Sequence, residues 1–335
     1  MCRAKSQRGC HSRSKAYWCE KYIQVRYARA ANDCHDGSVN FEALRRLPQV
    51  ESVRQSLAGA LRDRVIGPNA DEKAAHIMDA PGERWFAPDR PIHRVHADAS
   101  MFIGGMRALL VQSLHPRAMA GVAQHSDYRN DPWGRLQRTA DFLAATSFGP
   151  ADVAQQAVDR VRAVHTRVVG TTSTGEEYSA NDPHLLRWVH IAEVDSFLAA
   201  HQVFGANPLD QEGRDSYVSD MAVIARKLGV PAPPESEQAL HDHLREYRPE
   251  LRSTRESRDA ARYLLITPPL PTAQRVPYAL IAAGAVSLLP VWTRIMLRLP
   301  WMPLTERFAY RPVGQVVTGA IRWVTDLDSP ASRAH

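Results

Sequence analysis

The sequence predicts an all-α fold organised as one large helical domain. Three observations predict it. Apolar residues recur at three- and four-residue steps over most of the chain after residue 98. Asp-Pro or Pro starts and Gly stops punctuate those segments. No strong run of alternating apolar and polar residues suggests a strand.

The elements follow in order. Residues 1–40 form a basic segment that reads as a poorly ordered start to the chain. Residues 41–97 form a helical or extended arm, closing on the Pro- and turn-rich "DAPGERWFAPDRPIHRV". The helical domain then occupies 98–325, with a short tail at 326–335. Within it, "SMFIGGMRALLVQSLHP" is an apolar helix that Pro116 stops or kinks, and Gly104 and Gly105 allow close approach of a neighbouring helix or a ligand. "DPWGRLQRTADFLAATSFG" is capped by Asp131-Pro132 and closes on Gly149. The next helix runs from Pro150 toward Gly170, with Ala154, Val158, Val161, His165 and Val168 on one face. "TTSTGEEYSA" is a turn-rich loop. Asp182-Pro183 opens a long helix ending at Gly205, with Leu186, His190, Val194, Phe197 and His201 on one face.

Two further helical regions, 207–233 and 234–269, are separated by "GVPAPPES". The uncharged stretch "VPYALIAAGAVSLLPVW" is bracketed by Pro277 and Pro290. Its length is near the minimum for crossing a bilayer, and a buried helix is the favoured reading over a membrane span. "WTRIMLRLPWMPLTERF" reads as amphipathic, with Arg294 and Arg298 four apart, and is suited to lie on a membrane surface.

Composition excludes several classes. With 44% hydrophobic and 23% charged residues in 335, the chain is neither a disordered nor a fibrous protein. The net charge of +6 resides almost wholly in residues 1–40, which hold eight Lys/Arg and three acids. The remainder carries no basic footprint for nucleic acid. All four cysteines (Cys2, Cys10, Cys19 and Cys34) lie in the same segment, so the body cannot form a disulfide, a thiolate metal site or an iron–sulfur cluster. Their steps of eight, nine and fifteen residues fit no zinc pattern, even with His11 and His35 nearby. No apolar stretch follows the basic start, so no secretory signal is expected. The expectation is a cytoplasmic chain with a possible peripheral contact to a membrane.

No phosphate loop, GxGxxG, GxSxG or HExxH element is present. What remains is histidine on apolar helical faces. His165 and His190 each read either as a satisfied core residue or as a single axial ligand to haem iron. Haem needs only one protein ligand and an apolar slot between helices, so the helical domain is expected to hold a haem-type pocket. Arg135, Arg138 and Thr139 share one helical face. They read either as a solvated basic face or as groups that meet a haem propionate and polarise oxygen.

The blocks "GGMRALLVQSLHPRAMAGVAQHSDYRNDPWGRLQRTADFLAATSFG", "VRAVHTRVVG", "YSANDPHLLRWVHIAEVDSFLAAHQVFG" and "PPLPTAQRVPYALIAAGAVSLLP" follow one another in this order. They resemble the MpaB/rubber oxygenase family, which includes the latex clearing protein, over about Asp98 to Trp323. The resemblance implies an all-α fold that holds b-type haem through one histidine and cleaves an isoprenoid double bond with dioxygen. It places the family's Arg-x-x-(Lys/Arg)-Thr element on Arg135, Arg138 and Thr139 as catalytic residues. It places the axial haem ligand on His165, with His190 as the competing assignment, and the residue reading adds Arg135, Gly104 and Gly105 as cofactor-binding residues. Two features depart from rubber-cleaving members. The family's glutamate base has no match upstream of Arg135, and Val169 stands where an arginine often follows the histidine. The function implied is haem b-dependent oxygenation of a hydrophobic small molecule. The alternative is a non-catalytic helical protein that binds a hydrophobic ligand or a membrane surface.

Overall fold

The structure is a computed structural model that describes residues 48–67, 69–300 and 305–325. The chain divides into two units, Met1–Glu51 and Ser52–His335. Nearly all of the first unit lies outside the described residues, as do the cysteines, the expected basic segment and the tail from 326.

The second unit is helical, as expected. Its helices are α1 (Pro48–Val65, beginning just before the unit boundary), α2 (Ala70–Ala74), α3 (Pro91–His96), α4 (Met101–Gln112), α5 (Pro116–His125), α6 (Pro132–Phe148) and α7 (Ala151–His165). After a short hairpin come α8 (Pro183–Phe204), α9 (Gln211–Leu228), α10 (Glu237–Tyr247), α11 (Arg255–Leu265), α12 (Thr272–Ser287), α13 (Val291–Leu297) and α14 (Arg311–Thr325). Local chemistry sets most starts. The Asp131 carboxylate accepts from Gly134 N at 2.9 Å, Asp182 from His184 N at 2.9 Å and Asp210 from Gly213 N at 2.8 Å. Thr254 and Ser257 form a reciprocal capping box at the start of α11. Gly229, at φ 102°, closes α9 in the left-handed region.

The centre of the core is α8. Its Trp188, Ile191 and Val194 are fully buried against Leu110 of α4, Tyr217 and Val218 of α9, and Leu240 and Tyr247 of α10. Each such side chain contributes about 1.5–3 kcal/mol through burial. Gly104 lets α4 approach closely: a Cβ there would lie 3.1 Å from Phe197 Cα and 3.2 Å from the Ser196 carbonyl oxygen. The second half of α12 covers α4 through Ala282 and Ala285, alongside Ile103 and Met106. The 41–97 arm is not peripheral throughout: α3 buries Ile92 and Val95 completely in the same core.

One clamp spans the domain. Asp98 accepts from Arg322 Nε at 3.0 Å and Nη2 at 2.9 Å, and from the Ala206 backbone N–H at 3.1 Å. Arg322 also donates to the Phe204 carbonyl.

Three local readings are corrected. The helix from Pro150 stops at His165, and Val169–Thr171 (β1) pairs antiparallel with Glu177–Ser179 (β2) within the segment read as helix end and loop. β-branched Val168 and Val169 favour extended backbone, and Gly175 at φ 84° makes the turn. Pro277 lies inside α12 rather than at its start. Arg294 is buried rather than solvated: its Nε donates to the Leu289 carbonyl at 3.0 Å and Nη2 to that of Ser287 at 3.1 Å, satisfying the end of α12. No single helix among the described residues is long and apolar enough to cross a membrane, and the α12–α13 pair bends by 120°.

Candidate functional site

The α6 residues go to different places. Arg135 is largely desolvated and donates from Nη1 to Ser126 Oγ at 3.1 Å; burial holds its pKa below the ordinary guanidinium value. Arg138 is exposed and pairs with Asp131 at 3.2 Å. Thr139 is also exposed, and its hydroxyl donates to the Arg135 carbonyl at 3.1 Å, one turn back on its own helix. Gly104 faces the α8 backbone, and a Cβ added at Gly105 would meet only the Phe197 ring, at an ordinary 3.9 Å.

His165 ends α7 half-buried. Its Nδ1 has no hydrogen-bond partner, and burial lowers its pKa, so the imidazole is neutral at pH 7. A cleft of about 340 Å³ flanks this turn, lined by Arg162, Thr166, Asn181, Leu186 and Leu228 among others. The other best-formed cleft, about 290 Å³, is lined by Ser126, Tyr128, Glu256 and Asp259 among others. Both open to solvent. Arg135 and His165 share no hydrogen-bond or charge partner among the described residues.

His190 is different. It is buried in the middle of α8, its Nε2 has no partner, and desolvation with the nearby His243 pushes its pKa down to about 3. One turn on, Glu193 has no hydrogen-bond partner among the described residues, and burial raises its carboxyl to about 7. Its charge is felt by buried Tyr217, whose hydroxyl lies 3.1 Å from His96 Nε2; His96 Nδ1 in turn lies 2.7 Å from Ser147 Oγ. Desolvation takes His96 down to about 3, so its imidazole is neutral at pH 7. A carboxyl near 7 is suited to exchange a proton with a substrate.

A third group was not singled out by sequence. His115 caps the start of α5, His184 lies in the first turn of α8, and Glu250 follows α10. One ligand atom from each falls within 4.8 Å of the others. Glu250 Oε2 is 2.8 Å from His184 Nε2 and 3.4 Å from His115 Nε2. Burial, partly offset by Glu250, takes His115 down to about 4, and neither of its ring nitrogens makes a hydrogen bond. The His184 ring stacks on Tyr247 at 4.5 Å, and Trp188 packs near His115 with centroids 6.1 Å apart. The only hint in the sequence is a proline beside each residue; no spacing motif joins them.

No curated protein and no solved structure matches the chain. Residues 93–323 match the family described as "ER-bound oxygenase mpaB/B'/Rubber oxygenase, catalytic domain". This match spans the core from α3 to α14, including α6, the His165 turn, Glu193 and the His115–His184–Glu250 group. The chain therefore belongs to the mpaB/rubber oxygenase catalytic-domain family.

Proposed function

We propose that the protein is a haem b-dependent oxygenase acting with dioxygen on an apolar, isoprenoid- or lipid-like substrate. The family match over residues 93–323 carries this reading. His165 suits a ligand role in that its Nδ1 is buried and has no hydrogen-bond partner, while the neighbouring cleft is lined by Arg162, Ala163 and Thr166 of the same turn and not by His165 itself. Its burial favours the neutral imidazole that ligates iron. His190 offers an equally unpartnered nitrogen from a more buried position in α8. His165 is preferred because it lies in the block on which the family resemblance places the ligand, and His190 is the alternative.

Haem, when bound, supplies the redox chemistry that activates dioxygen. The chain's own groups do the rest. Desolvated Arg135 seeks an anion and is suited to a propionate. Arg138 and Thr139 lie on the exposed side of the same helix and would act only from the surface. Glu193, one turn beyond His190, holds or releases a proton at its carboxyl near 7, a role open to it where His190 is the ligand. A peripheral membrane contact is part of the proposal. Val276, Phe308 and Val316 are exposed large apolar side chains (67%, 71% and 56%) suited to meet a bilayer surface or an apolar substrate.

The test is absorption and haem quantitation of the purified protein. A Soret band that His165→Ala abolishes while helicity is kept supports the reading. Retained haem in His165→Ala with loss in His190→Ala transfers the ligand role. A colourless protein that copurifies with lipid supports the non-catalytic alternative.

A further inference from the structure

We propose that His115, His184 and Glu250 form a binding site for a divalent transition-metal ion, distinct from the haem-ligand histidines. Two imidazoles and one carboxylate are the donor set of open zinc and non-haem iron sites. Magnesium and calcium prefer all-oxygen sets, so a first-row transition ion is the class that fits.

Four features argue for a site rather than a chance cluster. The donors converge: Glu250 Oε2 faces both rings, at 2.8 Å from His184 Nε2 and 3.4 Å from His115 Nε2. Ligands on one ion at bond lengths of about 2.1 Å sit roughly 3–3.4 Å apart. The two Glu250–histidine separations already lie near that spacing. The His115 and His184 ligand atoms lie within 4.8 Å of each other, and the His184 side chain is 40% exposed.

Second, His115 is poorly satisfied. It is 2% exposed, its Nδ1 has no partner, and its Nε2 has only the Glu250 carboxylate at 3.4 Å, without hydrogen-bond geometry. Such a buried imidazole gains where an ion takes its lone pair.

Third, His184 is oriented by a neighbour. Tyr247 has one proton, and its hydroxyl donates it to the His184 carbonyl at 2.8 Å. The Tyr247 oxygen, 3.2 Å from His184 Nδ1, therefore accepts from Nδ1–H. Nε2 is the atom aimed at Glu250, 2.8 Å away: as an imidazolium it donates to that carboxylate, and as the neutral Nδ1–H tautomer it offers its lone pair to a cation held by both groups. The arrangement matches the outer partner that fixes the tautomer of metal-bound histidines.

Fourth, the three backbones are tied. Arg252 N donates to the Leu114 carbonyl at 2.9 Å, which binds the loop after Glu250 to the turn bearing His115. His184 N is held by the Asp182 cap at 2.9 Å. The ion would pin the α4–α5 turn, the start of α8 and the end of α10 together. The exposed side of His184 and Glu250 leaves positions for water or a further ligand.

Zinc is the probe. The full-length protein, with its four cysteines alkylated, is dialysed against Zn²⁺ and the bound metal quantified. All four thiols lie in residues 1–40, so alkylation silences them without touching the site. One zinc per chain is expected. Glu250→Gln and His184→Ala should each weaken binding by at least about tenfold while circular dichroism shows unchanged helicity. His165→Ala and His190→Ala should bind zinc like the wild type, which separates this proposal from the haem reading. Glu250→Gln is nearly isosteric, so it decides the matter if His184→Ala fails to fold. Absence of zinc from the wild type, or equal binding by the Glu250→Gln and wild-type proteins, overturns the proposal and leaves a hydrogen-bonded His–Glu pair.

Discussion

Gly104→Ala should destabilise the protein although alanine is the better helix former. The added Cβ would lie 2.8 Å from Phe197 Cδ1, 3.1 Å from Phe197 Cα and 3.2 Å from the Ser196 carbonyl oxygen. The phenyl ring can turn, but the other two atoms are α8 backbone, so one helix must move. Replacing glycine in a helix returns about 1 kcal/mol. Overpacking a tight core contact costs about 1–3 kcal/mol, and a backbone clash puts this case toward the upper end. The net loss is about 1–2 kcal/mol. Gly319 in α14 is the control, because no described atom lies within 4 Å of its added Cβ. Gly319→Ala should gain about 0.5–1 kcal/mol. Equilibrium urea unfolding of both variants, compared at constant m, reads the difference. If Gly104→Ala is as stable as Gly319→Ala, the close α4–α8 contact is not what requires glycine. Unchanged stability together with lost cofactor would assign Gly104 to a ligand instead.

Asp98→Ala should cost about 3–5 kcal/mol, because it strands the nearly buried Arg322 guanidinium; urea unfolding at neutral pH measures it. Burial alone would raise the Asp98 pKa, but hydrogen bonds from Arg322 and Ser100 outweigh it and hold the carboxyl low. The stabilisation is therefore complete above the unfolded value of about 3.9 and is lost as pH falls through the folded one. A urea series from neutral to acid pH should show it, and Asp98→Asn should flatten that part of the profile. His241 is shifted the other way, chiefly by the Asp195 carboxylate 3.7 Å from its Nε2. An NMR titration should place it above about 6.5, and its contribution should fade as pH rises through that folded value. Arg138→Ala and Thr139→Val, both exposed, should each change stability by less than about 1 kcal/mol in the same urea assay.

Helix starts were legible because their cause is local. Asp131 and Asp182 each cap their own helix within three residues, so Asp-Pro read along the chain places α6 and α8. The hairpin was not legible, since three-residue strands are too short to show alternation. Arg294 misled for a related reason: a charge four residues from another reads as a polar face, but its partners are the Ser287 and Leu289 carbonyls across a bend. The same limit governs the site. His165 and His190 show in the helical periodicity and Glu193 is visible beside His190, yet nothing local says that burial lifts that carboxyl to about 7. His115, His184 and Glu250 meet only through the packing of α5, α8 and the end of α10, which no spacing rule encodes.

The Asp98–Arg322 clamp joins positions 224 residues apart. Closing so long a loop costs little extra equilibrium stability, because the entropy grows only with the logarithm of length. Its effect is on timing. During synthesis α4 and α8 can meet as soon as residue 204 has emerged, but the Asp98 carboxylate and the Phe204 carbonyl must wait for α14 to deliver their guanidinium. Until then the nascent chain carries an uncompensated charge and an open apolar flank at Phe204, where Gly314 will later pack. That interval is when the chain is most exposed to aggregation or to capture by a chaperone.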